Sequence, residues 1–374
     1  MKKIAVNTRL LLPGRVEGIS RFTYEILKRM VERQTDTEFH FFFDRPYDPS
    51  YIFGENVVPH IVPPQSRHPI LWYLWFHIQL PRLIKKIKAD VVFSPEFYIP
   101  MVPNVPVVST FHDLAYEHYP EDLPLWAARY LKKYSPRYAH ASEKVLTVSE
   151  FSKQDLHGLY GLPKDNIHVV YNGVSDLFQA LAEEEQRKVE KKYTQGAPYF
   201  HFVGTLHPRK NIESLLKAFE WMKEQSDSDI KLLLVGRKGW KYQSALDVYE
   251  NMKHKEDVVF SGFVEDEELS RIYAASTALV YVPNLEGFGI PVLEALKSGT
   301  AVICSNNSSL PEVVGEGGIQ VAPDDIRAIG QAMLKLHTDE KFRQDLIRKG
   351  QHQLTLFSWD KTYEKVWAQL KELL

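Results

Sequence analysis

The sequence predicts an α/β chain made of two doubly wound parallel sheets in series, and three observations predict it. Short apolar runs alternate with amphipathic helical patterns in both halves, the signature of repeated βαβ units. The length of 374 residues exceeds what one core usually serves and favours two domains. The periodicity lapses midway, across QALAEEEQRKVEKKYTQGAP, residues 179 to 198, a charged stretch that divides the chain almost evenly and reads as a solvated surface helix and linker rather than a binding element.

Each element has its own signal. In the first half the strand candidates are KIAVNT, EFHFFF, DVVFS, VPVVST and KVLTVS. The first helix is predicted from about Ile19 to Arg33, with Phe22, Ile26, Leu27 and Met30 as its buried stripe. The second series runs YFHFVG, a helix beginning at Asn211 as N-cap, IKLLLVG, DVVFSG, a helix in EDEELSRIYAAS, ALVYV, PVLEALKSG and TAVICS. Pro291 suits a first helical position and Gly299 the residue just past the end. The boundaries that follow are an N-terminal domain over residues 1–175, a linker over 176–197 and a C-terminal domain over 198–357. The closing FSWDKTYEKVWAQLKELL reads as a helix with Trp359, Tyr363, Val366, Trp367 and Leu370 on one side, too apolar to stand free.

Composition excludes several classes. Apolar and charged fractions of 44% and 25% are those of a globular protein, and a net charge of -2 argues against nucleic-acid binding. Cys304, in TAVIC, reads as a buried strand residue, and nothing has cysteine-rich metal spacing. Asn7, Thr8 and Arg9 break the apolar start before a signal-peptide core forms, which points to a cytoplasmic protein. No stretch reaches the ~20 apolar residues of a membrane span. Residues 68–88, HPILWYLWFHIQLPRLIKKIK, carry Arg82, Lys85, Lys86 and Lys88 behind aromatic and aliphatic residues and are interrupted by Pro81. They read either as core or as an interfacial segment on the inner face of the cytoplasmic membrane.

Ligands of doubly wound sheets bind at the carboxyl ends of the strands, so motifs are judged by whether they fall there. In FVGTLHPRKNIESLL a strand ends at Gly204, and Arg209 and Lys210 appear just before a helix. That places a guanidinium fork and a point charge where a diphosphate could sit, although two solvated loop charges would look the same. The first βα loop, NTRLLLPGRVEGISRF, has Gly14 and Gly18 but neither GxGxxG nor GxxxxGK. His112 and Asp113 follow VPVVST, and His112 is either structural or a proton-handling group. Glu286 follows ALVYV at the same kind of edge, and Glu294 is expected in the first turn of the next helix, where a carboxylate also favours the helix dipole. Asp227 and Asp229 form a D-x-D that precedes a strand and reads as a surface turn rather than a metal site.

Together the segments EGIS, FHD, TVSEFSK, VVYNGV, VGTLHPRKN, EGFGIPVLEA and SWDKTYEKV resemble the family-4 glycosyltransferases of the GT-B fold, retaining enzymes that use nucleotide-sugar donors. The resemblance spans nearly the whole chain and is strongest in EGFGIPVLE, an acid and a second acid eight positions on. It implies that the C-terminal helix, residues 358–374, crosses back to the first domain. It implies that Glu286 holds hydroxyls of the donor sugar and Glu294 the ribose diol. Arg209 and Lys210 would neutralise the diphosphate, with backbone N–H groups of Gly287, Phe288, Gly289, Ile290 and Gly18 beside them. His112 would line the sugar pocket, Gly204 would be among the donor-binding residues, and Phe263 would meet the nucleobase. One departure is Thr205, where many members carry a basic residue after the glycine.

The implied activity is transfer of a hexose to a growing glycan or lipid-linked saccharide, with no metal and no cofactor beyond the donor. HDLAYEHYPE and NTRLLLPGR...GISRF look most like mannosyl-transferring members of polysaccharide assembly, which makes GDP-mannose the expected donor and UDP-hexoses the alternative. A GT-B nucleotide-sugar epimerase or a two-lobed sugar-binding protein would share the architecture.

Overall fold

The computed structural model describes residues 1–12, 18–237, 239 and 242–374, so Gly14 lies outside the described residues. The chain divides into two compact units, Met1–Asn172 with Trp359–Leu374, and Gly173–Ser358. Each carries one parallel sheet.

In the first unit the strands are β1 (Lys2–Asn7), β2 (Thr37–Phe43), β3 (Val57–Ile61), β4 (Val91–Ser94), β5 (Val107–Phe111), β6 (Lys144–Thr147) and β7 (Ile167–Val169), in spatial order β3-β2-β1-β4-β5-β6-β7. The central strands are Val- and Phe-rich and buried on both faces, as a parallel sheet covered by helices requires. One face is covered by the helix Ile19–Arg33 and the C-terminal helix Trp359–Lys371, which bury Phe22, Ile26 and Met30 with Trp359, Tyr363 and Val366. The last helix therefore belongs to the first unit, as the resemblance implied. The predicted stripe of the first helix is the buried one.

In the second unit β8 (Tyr199–Val203), β9 (Lys231–Val235), β10 (Val258–Gly262), β11 (Ala278–Tyr281), β12 (Ala301–Ser305) and β13 (Gly318–Val321) are ordered β10-β9-β8-β11-β12-β13. In both sheets the order reverses once, between β1 and β4 and between β8 and β11. Such a switch point opens a crevice at the strands' carboxyl ends, because the two following connections leave to opposite sides. Cys304 is fully buried in β12, and burial pushes its thiol up to about 12.

Several sequence expectations need correction. The edge strands β3, β7 and β13 are absent from the strand candidates, because β3 contains Pro59 and His60 and the other two have three and four residues. Residues 176–197, expected as a surface helix and linker, do contain a helix, Glu183–Thr194, but they fall in the second unit instead of linking the two. Val189 of that helix is packed with Tyr199, Ile272 and Ala275, and Tyr193 and Lys192 bond Glu268. Asn211 is not a side-chain N-cap. It adopts the left-handed conformation at φ 59°, and its amide is used elsewhere.

Pro81 does not interrupt its helix either. Helical structure runs from Pro69 to Ile87 through a π-turn over Trp75–Gln79, which widens the coil just where the proline lacks its N–H. Trp75, Phe76, Leu80 and Ile84 of this segment are buried in the core, so most of the apolar surface proposed for a membrane is not available to one. No described helix is long and apolar enough to cross a membrane.

One buried group sets a pH limit. His201 in β8 is fully buried, packs edge-on against Tyr273 at 4.5 Å, and is driven down to about 3 by burial. Its folded pKa lies below the ordinary ~6.5, so the unfolded chain takes up the proton first. Stability is then full above ~6.5 and falls as the pH drops toward 3, by about 1.4 kcal/mol per pH unit from this residue alone. Thermal unfolding between pH 7.5 and 4.5 should show a smaller loss of Tm in His201→Phe than in the wild type.

Candidate active site

The switch point of the second sheet brings the loop after β8 against the loop after β11, and there Arg209, Lys210 and Glu286 meet. β8 is followed by Gly204, whose φ is 143°, and β9 by Gly236, where an added Cβ would lie 2.0 Å from the Gly204 carbonyl oxygen. The chain then makes a tight turn over Pro208–Lys210, with the His207 ring accepting from the Arg209 N–H at 3.3 Å. Asn211 closes the turn by donating its amide to the carbonyls of Val282 at 2.9 Å and Pro323 at 2.7 Å. The Asn284 N–H donates to the Arg209 carbonyl at 2.9 Å. The basic turn is therefore fastened to the carboxyl end of β11 through its backbone.

Glu286 sits between the two cations. Arg209 Nη1 donates to its Oε1 at 3.1 Å and to the Leu285 carbonyl at 2.7 Å. Lys210 Nζ bonds the same Oε1 and donates to the Tyr281 hydroxyl at 2.7 Å. Only 12% of the Glu286 side chain is exposed. Burial alone would raise its pKa, but the charges of Lys210 and Arg209 outweigh burial and hold the carboxyl below its ordinary range. Burial and the neighbouring Glu286 push the Tyr281 hydroxyl well above its ordinary value, so it stays protonated.

The Gly287–Phe288–Gly289 turn is pinned from the loop after β12. Ser309 Oγ donates to the carbonyls of Glu286 at 2.9 Å and Phe288 at 2.8 Å, and the Glu286 N–H donates to Ser308 Oγ at 3.2 Å. The Phe288 ring is buried against Phe357, so only its backbone is placed to meet a ligand. Gly289 precedes the helix Ile290–Lys297 at φ 103°, and an added Cβ would lie 2.4 Å from Leu310 Cδ2. Gly289→Ala should therefore destabilise the protein by about 1–3 kcal/mol, read as a lower urea midpoint.

The helix places Glu294 as its fifth residue, one beyond the first turn expected for it, with Pro291 second. Its Oε2 accepts from the Tyr273 hydroxyl at 2.8 Å. Gly299 follows the helix at φ 70°, as the sequence suggested. Phe263, just after β10, is 43% exposed with the Arg237 guanidinium 4.1 Å over its ring. Asp227 and Asp229 are exposed in the turn before β9.

His112 and Gly18 lie in the first unit. Gly18 caps the first helix at φ 53°, and one turn on Phe22 meets the His112 ring edge-on at 5.0 Å. His112 Nε2 lies 2.9 Å from the Pro95 carbonyl, which fixes the proton on Nε2 and leaves Nδ1 as an acceptor. Burial lowers its pKa and keeps the ring neutral.

Sequence reasoning missed a second ion pair, at the switch point of the first sheet. Arg9, after β1, forks onto both oxygens of Glu96, after β4, and lies 4.7 Å over the Tyr98 ring. Asn7 Nδ2 donates to Glu96 at 2.7 Å and to Ser94 Oγ at 3.0 Å. The available signal was a charged residue directly behind a buried strand at each place, NTR and SPE. In the second unit Tyr281 and Tyr273 were also missed, since a tyrosine in the strand ALVYV or in the helix EDEELSRIYAAS reads as core.

Among the described residues no cluster of three or more His, Cys, Asp or Glu is arranged to hold a metal. A surface groove of about 570 Å³, lined by Trp221, Val248 and Met252, contains none of the site residues and offers three acids against one lysine, which does not suit an anionic ligand.

Comparison with known proteins gives consistent matches. The model "Glycosyltransferase Family 4" matches residues 16–176 and "Glycosyl transferases group 1" matches residues 182–353. An Escherichia coli protein named O-antigen chain mannosyltransferase B is 30% identical over 357 residues, covering 92% of this chain and 93% of that protein. Among solved structures, sucrose-phosphate synthase of Thermosynechococcus elongatus superposes with a TM-score of 0.82 at 18% identity, covering 100% of this chain and 99% of that one. Anabaena HepE in complex with UDP-glucose gives 0.77 at 15% identity, with all of both chains covered. At these identities the structural matches show the fold, which is GT-B.

Proposed function

The chain belongs to glycosyltransferase family 4, and on that premise we propose that it transfers mannose from GDP-mannose to a growing surface glycan with retention of anomeric configuration and without a metal. The observation that carries the proposal is the Arg209–Lys210–Glu286 cluster at the β8/β11 switch point. Mannose as the sugar rests on the Escherichia coli mannosyltransferase, and a nucleotide donor is consistent with the UDP-glucose bound by HepE. The acceptor in this proposal is a saccharide, free or lipid-linked, met at the inner face of the cytoplasmic membrane.

The chemistry follows from charge. Cleavage of the anomeric C–O bond sends its electron pair to the diphosphate and leaves positive charge on the sugar. Arg209 and Lys210 are preorganised to meet the new negative charge, which supplies the role a metal plays elsewhere. The acceptor oxygen then bonds the anomeric carbon from the face the diphosphate leaves, and its proton passes to a departing phosphate oxygen. Glu286 holds sugar hydroxyls, and the N–H groups of residues 287–290 face phosphate. Phe263 stacks on the base.

Glu294 holds the ribose diol, with Tyr273 fixing the carboxylate. Glu294→Ala should raise the donor KM by about 10- to 100-fold, the size of a lost charge-assisted hydrogen bond, with little change in kcat. The overall test is turnover: GDP-mannose with an acceptor glycan in EDTA should release GDP and give an α-linked product. A strict need for added Mg²⁺, or a β-linked product, would overturn the metal-free retaining reading.

A second donor remains in view because HepE holds a UDP-sugar. A panel of GDP- and UDP-sugars in thermal unfolding separates the two, since only a ligand of the folded state raises Tm in proportion to the logarithm of its concentration over Kd.

A further inference from the structure

At the edge that holds Glu286, Arg209 and Lys210, two further strands end in the same manner as β8. Gly204 after β8, Gly236 after β9 and Gly262 at the close of β10 have φ of 143°, 144° and 72°, conformations that favour glycine. Backbone bonds fasten the three ends side by side. The Gly204 N–H donates to the Val235 carbonyl at 2.9 Å, and the Gly236 N–H to the Gly262 carbonyl at 2.9 Å. Past the strands the Leu206 N–H donates to the Arg237 carbonyl at 2.9 Å, and the Gly239 N–H to the Leu206 carbonyl at 3.0 Å. The carboxyl edge thus presents Arg209 and Lys210 beyond β8, Arg237 beyond β9 and Phe263 beyond β10, at the ~4.8 Å spacing of neighbouring strands.

Arg237 takes no part in the Arg209–Lys210–Glu286 cluster. Its guanidinium carbon lies 4.1 Å over the Phe263 ring, yet Arg237 is exposed and the ring is 43% exposed. Among the described residues no carboxylate pairs with Arg237. Its carbonyl is tied to Leu206 and its side chain rests on the ring, so the fork is held at the edge with none of its N–H donors committed to an acid. A half-exposed aromatic face beside such a fork suits a flat ligand with acceptors along one side.

We propose that Arg237 is the residue by which this chain selects guanine, its guanidinium forking onto O6 and N7 of a base laid on Phe263, an inference that rests on the second unit holding a nucleotide-sugar donor. A base on the ring face that the guanidinium covers shares its layer. Fork and base edge then meet in one plane, as two parallel hydrogen bonds require. Guanine offers two acceptors side by side on that edge, adenine an acceptor beside a donor amino group, and a uracil-type pyrimidine a single carbonyl oxygen. The fork therefore matches one base of the three. A lysine in its place would keep the charge and lose the match, because an ammonium is a point charge without a planar fork.

Calorimetry of the full chain with nucleoside diphosphates tests it. The wild type should bind GDP about tenfold more tightly than 7-deaza-GDP, which carries a carbon in place of N7, within what a bidentate guanidinium pair contributes. It should bind IDP, which keeps both acceptors and lacks the 2-amino group, as it binds GDP. Arg237→Leu and Arg237→Lys should each bind GDP and 7-deaza-GDP equally, and both should keep the wild-type Tm because the side chain is exposed. Arg237→Leu should also weaken GDP more than UDP. A ratio of GDP to 7-deaza-GDP affinity near one in the wild type, an unchanged ratio in the variants, or an equal loss of GDP and UDP, which would make Arg237 a phosphate contact, would each overturn the proposal and leave the donor site standing. Failure of the wild type to bind GDP, or tighter binding of UDP, would overturn the GDP-mannose reading and the proposal with it.

Discussion

Lys210→Ala should lower kcat by about 10²- to 10³-fold, the usual effect of removing one preorganised donor from developing negative charge, ~2.7 to 4 kcal/mol of barrier. The structure gives the reason for choosing this residue. Lys210 Nζ is held by Tyr281 and Glu286 at the end of β8, so its position is set before any ligand arrives and no reorganisation is needed during reaction. Arg209 is bound more to backbone, through the Leu285 carbonyl, and shares Glu286 at a longer distance. Arg209→Ala should therefore cost less than Lys210→Ala. Lys210→Arg should recover little, because a planar fork cannot satisfy Tyr281 and Glu286 from one point. Single-turnover rates with saturating donor are the check, accompanied by thermal unfolding, since removing Lys210 leaves Glu286 with one partner fewer.

Glu286→Gln should lower kcat by about 10- to 100-fold and, in the opposite direction, tighten binding of the free nucleoside diphosphate. The first effect is loss of a charged acceptor for sugar hydroxyls, worth about 1.5–3 kcal/mol. The second follows from Glu286 being the internal counter-ion of Arg209 and Lys210. Neutralising it changes the net charge of the three side chains from +1 to +2, and at a distance of ~8 Å with an effective dielectric of ~20 a unit charge contributes about 2 kcal/mol toward an anion, before salt screening reduces it. Product inhibition should therefore become stronger while turnover falls. A purely structural glutamate would instead weaken both, through a loosened basic turn.

The same pair shows how far the sequence could be read. Strand, loop and helix around Glu286 and Lys210 follow from ALVYV, the glycines and the helical spacing, and the family resemblance supplied their roles. What it did not supply is that the carboxylate bonds both cations directly. Residues 77 and 76 apart in the chain meet only because β8 and β11 are neighbours at a switch point, and neighbour relations in a parallel sheet are not written in local periodicity. The Arg9–Glu96 pair was hidden for the same reason, 87 positions apart across β1 and β4. Asn211 failed as an N-cap because its amide found two carbonyls from distant loops, a tertiary choice overriding a local preference. The edge strands were lost to brevity and to Pro59, since a strand on one edge needs neither a long apolar run nor every backbone donor.

Titration calorimetry of GDP and of GDP-mannose in EDTA, into the wild type and into Lys210→Ala, measures whether the Arg209–Lys210–Glu286 cluster is the diphosphate site. Wild-type protein should bind both ligands, and the variant should bind GDP at least tenfold more weakly. Equal affinity in the two proteins would contradict the assignment.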